Sequence, residues 1–197
     1  MIRNRFLRRL LKGIADWITP LPPKQEYIRW KLKNTILRFA GISIGESGVA
    51  ISNGFQCIDG YEDNIKIDCY SALGHNVRLW NFSDIHIGKF SMIAAGVTVT
   101  NGWHDKNTLE PASGPVTIGP GCWIGANATI IGSVNVGANS IIAAGALVNK
   151  DVAPNSIVAG VPAKVIGTRE LPDRVWHLNN IYFCPNEFEI KSGVVND

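Results

Sequence analysis

One histidine and two carboxylates share a fifteen-residue segment, NGWHDKNTLEPASGP (101–115). His104 is followed directly by Asp105, and Glu110 stands a little further on. An imidazole titrates near neutrality, which suits it to taking the proton from a hydroxyl while that oxygen attacks a carbonyl carbon. Asp105, Glu110, Asp84 or a backbone carbonyl is available to orient the ring, and the sequence leaves that choice open. Adjacent residues of an extended chain point to opposite sides, so Asp105 holds no advantage from being next in line. A lone surface histidine is ordinarily just solvated, and the catalytic reading therefore depends on what holds the segment in place. Further along, Lys150 and Lys164 are two of only nine basic residues beyond position 40, and a phosphate-bearing ligand would give them a purpose.

What holds the segment is a repeat. Ile118, Ile124, Ile130, Val136, Ile142 and Val148 recur at every sixth position, as do Ile87, Ile93 and Val99, and before them Ile67, Leu73 and Leu79. A small or β-branched residue follows four positions after these leaders, as at Ser71, Val77, Ser91, Val97, Cys122, Ala128 and Val134. Glycine is frequent one position after them, as at Gly74, Gly88, Gly119, Gly125 and Gly137. A six-residue beat fits no helical period, and the glycine and β-branched content disfavours a helix. It predicts short strands joined by tight corners, three to a triangular coil, with each leader pointing inward onto its equivalent one strand spacing away. Compact residues at the corners are expected to supply unusual φ values.

Eighteen residues complete one coil. With two extra residues Val99 then stacks on Leu79, and with one extra residue beyond a full coil Ile118 is expected to stack on Val99. On that register Asn81 and Asn101 share an edge, His104 stands just beyond, and Trp123 leaves the same edge one coil later. The interior positions between Val99 and Ile118 would fall on Asp105 and Pro111, neither of which belongs in an apolar prism. The segment 101–115 is therefore predicted to leave the prism as a loop, which lets a rigid scaffold present His104.

The segments LGHNVRLWNFSDIHIGKFSMIAAGVTVTNGWHD (73–105) and PVTIGPGCWIGANATIIGSVNVGANSIIAAGALVNKDVAPNSIVAGVPAKVIG (115–167) resemble the hexapeptide-repeat acyltransferases. The resemblance runs to their sugar O-acetyltransferase branch, with the colanic acid acetyltransferase group nearest. It implies an all-β fold, a left-handed parallel β-helix, a homotrimer with its groove between adjacent subunits, and acetyl-CoA as co-substrate. Spacing alone does not yield that handedness, because parallel crossovers are right-handed as a rule. The matching HD pair implies that His104 is the general base, with Asp105 beside it. Asn81 corresponds to a position that contacts the sugar acceptor, with Asn101 stacked on it; a corner-forming ladder is the structural alternative for both. Trp123 and Ala126 are implied near the thioester arm, Ala144 where pantetheine lies close to the backbone, and Asn149, Lys150 and Lys164 toward the nucleotide.

The ends differ from the middle. Residues 1–40 hold ten Lys or Arg against Asp16 and Glu26, whereas residues 41–197 hold nine against fourteen acids. Residues 1–40 are predicted to be a basic amphipathic helical arm, residues 41–167 the β-helix, and residues 168–197 a C-terminal helix or tail covering the open end of the solenoid. The arm packs on the β-helix or a neighbouring subunit, or else lies on an anionic membrane surface as a peripheral contact. Cys57, Cys69, Cys122 and Cys184 lack the spacing of a disulfide scaffold, and the N-terminus interrupts its apolar residues too often for a signal peptide, so a cytoplasmic protein is expected. No charged residue occurs from 112 to 149, which a face buried against another subunit would explain. Together these readings point to an acetyl-CoA-dependent sugar O-acetyltransferase acting on a surface-polysaccharide precursor, with a glycan acceptor and no nucleic-acid partner. The rivals are N-acetylation of an amino sugar or other small amine, a non-catalytic scaffold, and a metal hydratase like the gamma-class carbonic anhydrases. The last needs convergent histidines, and His75, His86, His104 and His177 include no pair four or five residues apart, so no metal is expected.

Overall fold

The computed structural model describes residues 5–17, 26–58 and 60–170. Two helices, α1 (Arg5–Trp17) and α2 (Glu26–Ala40), precede a left-handed parallel β-helix. Each coil contributes one short strand to each of three sheets. The first face stacks Ile44, Ile67, Ile87, Ile118 and Val136. The second stacks Ile51, Leu73, Ile93, Ile124, Ile142 and Val158. The third stacks Cys57, Leu79, Val99, Ile130 and Val148. All these side chains are buried, and they form one continuous core down the prism axis.

The register departs from the expected one after Val99. Val99 pairs with Ile130, and Ile118 pairs with Ile87 on the first face, not with Val99. The gap between Val99 and Ile118 is therefore one corner enlarged by an excursion, and no strand of the other two faces is skipped. Insertions gather at this corner, between the third and first faces, where residues 80–84 and 100–115 also lie.

The corner residues sort differently from the expectation as well. Left-handed φ values fall three positions after a leader, at Tyr70, Asn76, Phe90, Gly96, Gly121, Asn127, Asn139 and Gly145. The glycines one position after a leader are instead required by close approach: a Cβ on Gly125 would stand 2.5 Å from the backbone nitrogen of Ala144 in the next coil.

The arm closes the open end of the solenoid. The first coil has no predecessor, so its edge carbonyls lack strand partners. α2 supplies donors to them: Lys33 Nζ to Ser52 O (2.8 Å), Asn34 Nδ2 to Val49 O (2.7 Å) and Arg38 Nε to Ile44 O (3.0 Å). Trp30 packs with Ala50 and Ala72 on the outside of the second face. From α1, Arg8 donates to the buried Glu62 at 3.0 Å and lies 3.4 Å from Asp63, while Lys12 reaches Glu62 at 3.2 Å. Burial opposes ionisation of Glu62, but hydrogen bonds from its own backbone N–H, Arg8 and Lys12 outweigh it and hold the carboxyl below its usual range. Several of the arm's cations are thus turned inward, and Leu10, Ile14, Ile28, Leu32 and Phe39 are left facing outward. Among the described residues no helix is long and apolar enough to cross a membrane.

At the other end Ala163–Thr168 runs antiparallel to Ser156–Gly160, closing the second-face sheet with a hairpin in place of a further coil. The expected C-terminal helix lies outside the described residues.

Candidate active site

The excursion is a small antiparallel hairpin. Gly102 pairs with Ser113, Trp103 with Ala112 and His104 with Pro111. Its tip is tied by Asp105 N–H to Glu110 O (2.9 Å) and by Leu109 N–H to Asp105 O (2.8 Å), with Leu109 in the left-handed region at φ 58°. His104 is exposed, and its Nδ1 lies 2.8 Å from the carbonyl oxygen of Leu109. A carbonyl only accepts, so Nδ1 carries a hydrogen, and in the neutral form of the ring the lone pair is on Nε2. That is the tautomer a general base needs.

Asp105 does not orient the ring. Its Oδ1 accepts from the backbone N–H groups of Asn107 (2.8 Å) and Thr108 (3.0 Å), and from the Thr108 hydroxyl (3.4 Å). The Thr108 and Asn107 amides hold this carboxyl below its ordinary range. Asp105 thus folds the hairpin tip that carries Leu109 O, and the hydrogen bond of the imidazole goes to that carbonyl.

Asn81 and Asn101 do stack on one edge, because Leu79 pairs with Val99 and Trp80 with Thr100. Both are fully buried. Asn81 Oδ1 accepts from Ile58 N–H at 2.9 Å, and its Nδ2 donates to Tyr61 O. Asn101 Oδ1 accepts from Ser83 N–H (3.1 Å), while its Nδ2 donates to Ser83 O (2.9 Å) and Asp84 O (3.1 Å). Each amide is bonded to the backbone of the preceding coil, in the manner of the corner-forming alternative.

Trp123 lies elsewhere. It pairs with Met92 and Ile141 on the second face, so the expectation that it shares the Asn81–Asn101 edge is not met; the shifted register is the cause. Its indole is about half exposed. Ala126 and Ala144 line the corner after that face, where Gly145 N–H donates to Ala126 O at 2.9 Å. Ala144 is exposed beside the closely packed Gly125. Lys164 is exposed on the closing strand, paired with Ala159 of the same sheet. Asn149 and Lys150 are exposed after Val148, on the corner that carries the His104 hairpin. One chain therefore gathers the proposed donor residues into two groups, with Trp123, Ala126, Ala144 and Lys164 on a different side of the prism from His104.

Cys122, next to Trp123, is no nucleophile. Its thiol is buried and directed at Gly137 O (3.2 Å), and burial pushes its pKa up to about 11. His86 pairs with Asp68 at 2.8 Å on the first face. Among the described residues no three His, Cys, Asp or Glu side chains converge as metal ligands would. Sequence reasoning missed the aromatic residues around the hairpin: Trp80, Phe82 and Trp103 are all substantially exposed there. Trp80 pairs with Thr100 and Phe82 lies against Gly102, placements that follow from the corner register and carry no motif.

This three-faced coil is matched by the family model described as bacterial transferase hexapeptide (six repeats), over residues 115–150. Galactoside O-acetyltransferase of Escherichia coli (strain K12) is 35% identical over 139 residues, covering 68% of this chain and 65% of that protein. The chain thus spans a little under two thirds of that relative's length. A maltose O-acetyltransferase structure from Clostridium difficile 630 superposes with a TM-score of 0.69 at 26% identity, covering 85% of this chain and 87% of that one. A galactoside acetyltransferase structure in complex with coenzyme A shares the fold with a TM-score of 0.70 at 24% identity, over 98% of this chain and 92% of that one. The chain belongs to the hexapeptide-repeat transferase family. These findings give the narrower colanic acid acetyltransferase resemblance no support of its own.

Proposed function

We propose that this protein transfers the acetyl group of acetyl-CoA to a sugar hydroxyl on a surface-polysaccharide precursor, with His104 as general base and no metal. Nε2 of His104 takes the hydroxyl proton as the oxygen attacks the thioester carbonyl. The tetrahedral intermediate collapses, the CoA thiolate leaves, and the imidazolium returns a proton to it. The observation that carries this reading is the His104 ring itself, exposed at the tip of a tied hairpin with Nδ1 committed to Leu109 O at 2.8 Å. Its similarity to galactoside O-acetyltransferase favours a sugar hydroxyl over an amine as acceptor.

The site is completed by a second copy in a homotrimer. Trp123, Ala126, Ala144 and Lys164 lie on a different side of the prism from His104, and a neighbour's second face set against the hairpin brings the two groups together. The outward column of that face, Met92, Trp123, Ile141 and Ile157, is apolar and only partly covered within one chain. Such a column suits burial between subunits. In this arrangement Trp123 and Ala126 flank the thioester arm, Ala144 admits pantetheine against the backbone, and Asn149, Lys150 and Lys164 meet the nucleotide end. We assign the protein to the cytoplasm. The inward cations of α1 and α2 favour the arm as a cap of the coil over a peripheral membrane contact.

Thiol release from acetyl-CoA across a panel of glycan and amine acceptors tests the reading. His104→Ala is expected to lower kcat by roughly 10² to 10⁴, the usual worth of a general base, with the oligomer intact. Turnover undiminished in that variant refutes the assignment.

A further inference from the structure

Side chains alternate across a strand, so Gly102 and His104 share one face of the hairpin and Trp103 takes the other. The space a side chain on Gly102 would need is already filled. A Cβ there would stand 2.7 Å from Cγ and 3.0 Å from Cε2 of Phe82. The phenyl ring therefore lies on the His104 side of the hairpin, about 7 Å along the strand from that residue's position. Trp103 packs on the opposite side, its Cη2 3.3 Å from where a Cβ on Gly114 would stand, beside Ser133.

Phe82 is held between pinned neighbours. Asn81 is buried and bonded to Ile58 N–H and Tyr61 O, and Ser83 N–H and O are both bonded to the buried Asn101 amide. Its own N–H is bonded to Trp80 O at 3.2 Å. Yet Phe82 is 52% exposed. A ring fixed at both flanks, laid on a glycine and open to solvent two strand positions from a base is built as a platform, not as core.

We propose that Phe82 is the acceptor platform of this site and that the acceptor is a pyranose ring. The ring's apolar C–H face lies on the phenyl, and one of its hydroxyls reaches Nε2 of His104. This rests on the acetyl-transfer reading above and narrows its acceptor. An acyclic polyol or a small amine has hydroxyl or amino groups for His104 but no flat C–H face for Phe82. Asn81 and Asn101 serve the acceptor indirectly, by fixing the segment that bears the platform.

The test pairs binding with turnover, using methyl β-galactopyranoside and its acyclic counterpart galactitol as probes. Saturation-transfer NMR on the wild-type protein is expected to show the pyranoside's ring protons in contact and galactitol not. Phe82→Ala is expected to abolish that signal and to raise KM for the pyranoside on the order of tenfold. The KM for acetyl-CoA, the pH profile of turnover and the oligomeric state stay unchanged. Phe82→Tyr restores binding, and Gly102→Ala, whose methyl group displaces the phenyl, reproduces the loss. Equal weakening of pyranoside and galactitol, an altered acetyl-CoA KM or dissociation of the Phe82→Ala oligomer overturns the proposal. Pyranoside binding lost in Phe82→Ala, with no acetylation of any acceptor by the wild-type protein, would sustain the platform and strike the acetyltransferase reading instead.

Discussion

Replacing Asn101 with alanine separates a structural clamp from an acceptor contact. The buried amide satisfies one N–H and two carbonyls of Ser83 and Asp84, at 3.1, 2.9 and 3.1 Å. Asn101→Ala orphans the Ser83 N–H and carbonyl, while Asp84 O keeps the Val116 N–H at 2.9 Å, and it leaves a void beneath the corner. A buried unsatisfied backbone group costs about 1–3 kcal/mol. Ser83 is only half-buried, so water recovers part of that loss for its carbonyl. The expected destabilisation is roughly 2–4 kcal/mol, close to one orphaned N–H plus the lost packing. In a domain of this size that lowers the melting temperature by roughly 5–15 °C. Calorimetry or circular dichroism gives the stability, and steady-state kinetics on the same preparation gives the acceptor KM. A variant with unchanged stability and a raised acceptor KM would contradict the clamp and return Asn101 to direct contact with the substrate.

Asp105→Asn keeps an Oδ1 that accepts from the Asn107 and Thr108 amides, so the hairpin tip survives and turnover stays within a few-fold of wild type; a loss as deep as that of His104→Ala would mean that the charge itself orients the imidazole. Gly125→Ala sets a methyl group 2.5 Å from a backbone nitrogen, which no rotamer relieves, and should cost roughly 1–3 kcal/mol or prevent folding. Gly145→Ala meets open space at φ +69° and should cost no more than about 1–2 kcal/mol, so denaturant midpoints that reverse the order would contradict the coil stacking. The folded-state pKa of Glu62 is depressed, so its contribution is present above the ordinary glutamate range and is lost as pH falls through the folded value. Glu62→Gln should therefore be roughly 3–5 kcal/mol less stable than wild type at neutral pH, as expected for a broken buried pair, and the gap should close on acidification. A gap independent of pH would remove the ion pair from the account.

The coil was legible because its code is local. An aliphatic leader every sixth residue reports an inward position whatever the rest of the chain does, and Ile118 to Val148 keep that beat without a break. Register across the excursion was not, because the distance from Val99 to Ile118 fits a full coil with one extra residue as well as one enlarged corner. Only strand pairing separates the two, and it moves Trp123 to another face. His104 stood out as a candidate through the HD pair it shares with the resembling family and its place in the loop. Its orienting partner did not, since that partner is a main-chain carbonyl at Leu109, and a carbonyl has no residue type to read. The same is true of Asn81 and Asn101: an asparagine at a corner looks alike whether its amide faces a ligand or the backbone, and burial decides. The arm's basic pattern left packing on the coil, packing on a neighbour and a membrane contact all open; Lys33, Asn34 and Arg38 answer the orphaned carbonyls of the first coil, a need that exists only once the solenoid has an end.

The most direct test of the central claim, that two copies of the chain complete each site, mixes two inactive proteins. His104→Ala lacks the proposed base but keeps the second face; Ala144→Arg blocks that face but keeps His104. Co-expressed and purified as mixed oligomers, they should regain a measurable share of wild-type acetyl transfer, because some interfaces then join an intact His104 to an intact Ala144. If both halves of a site came from one chain, every site would carry a defect, and mixed oligomers as inactive as either parent would contradict the account.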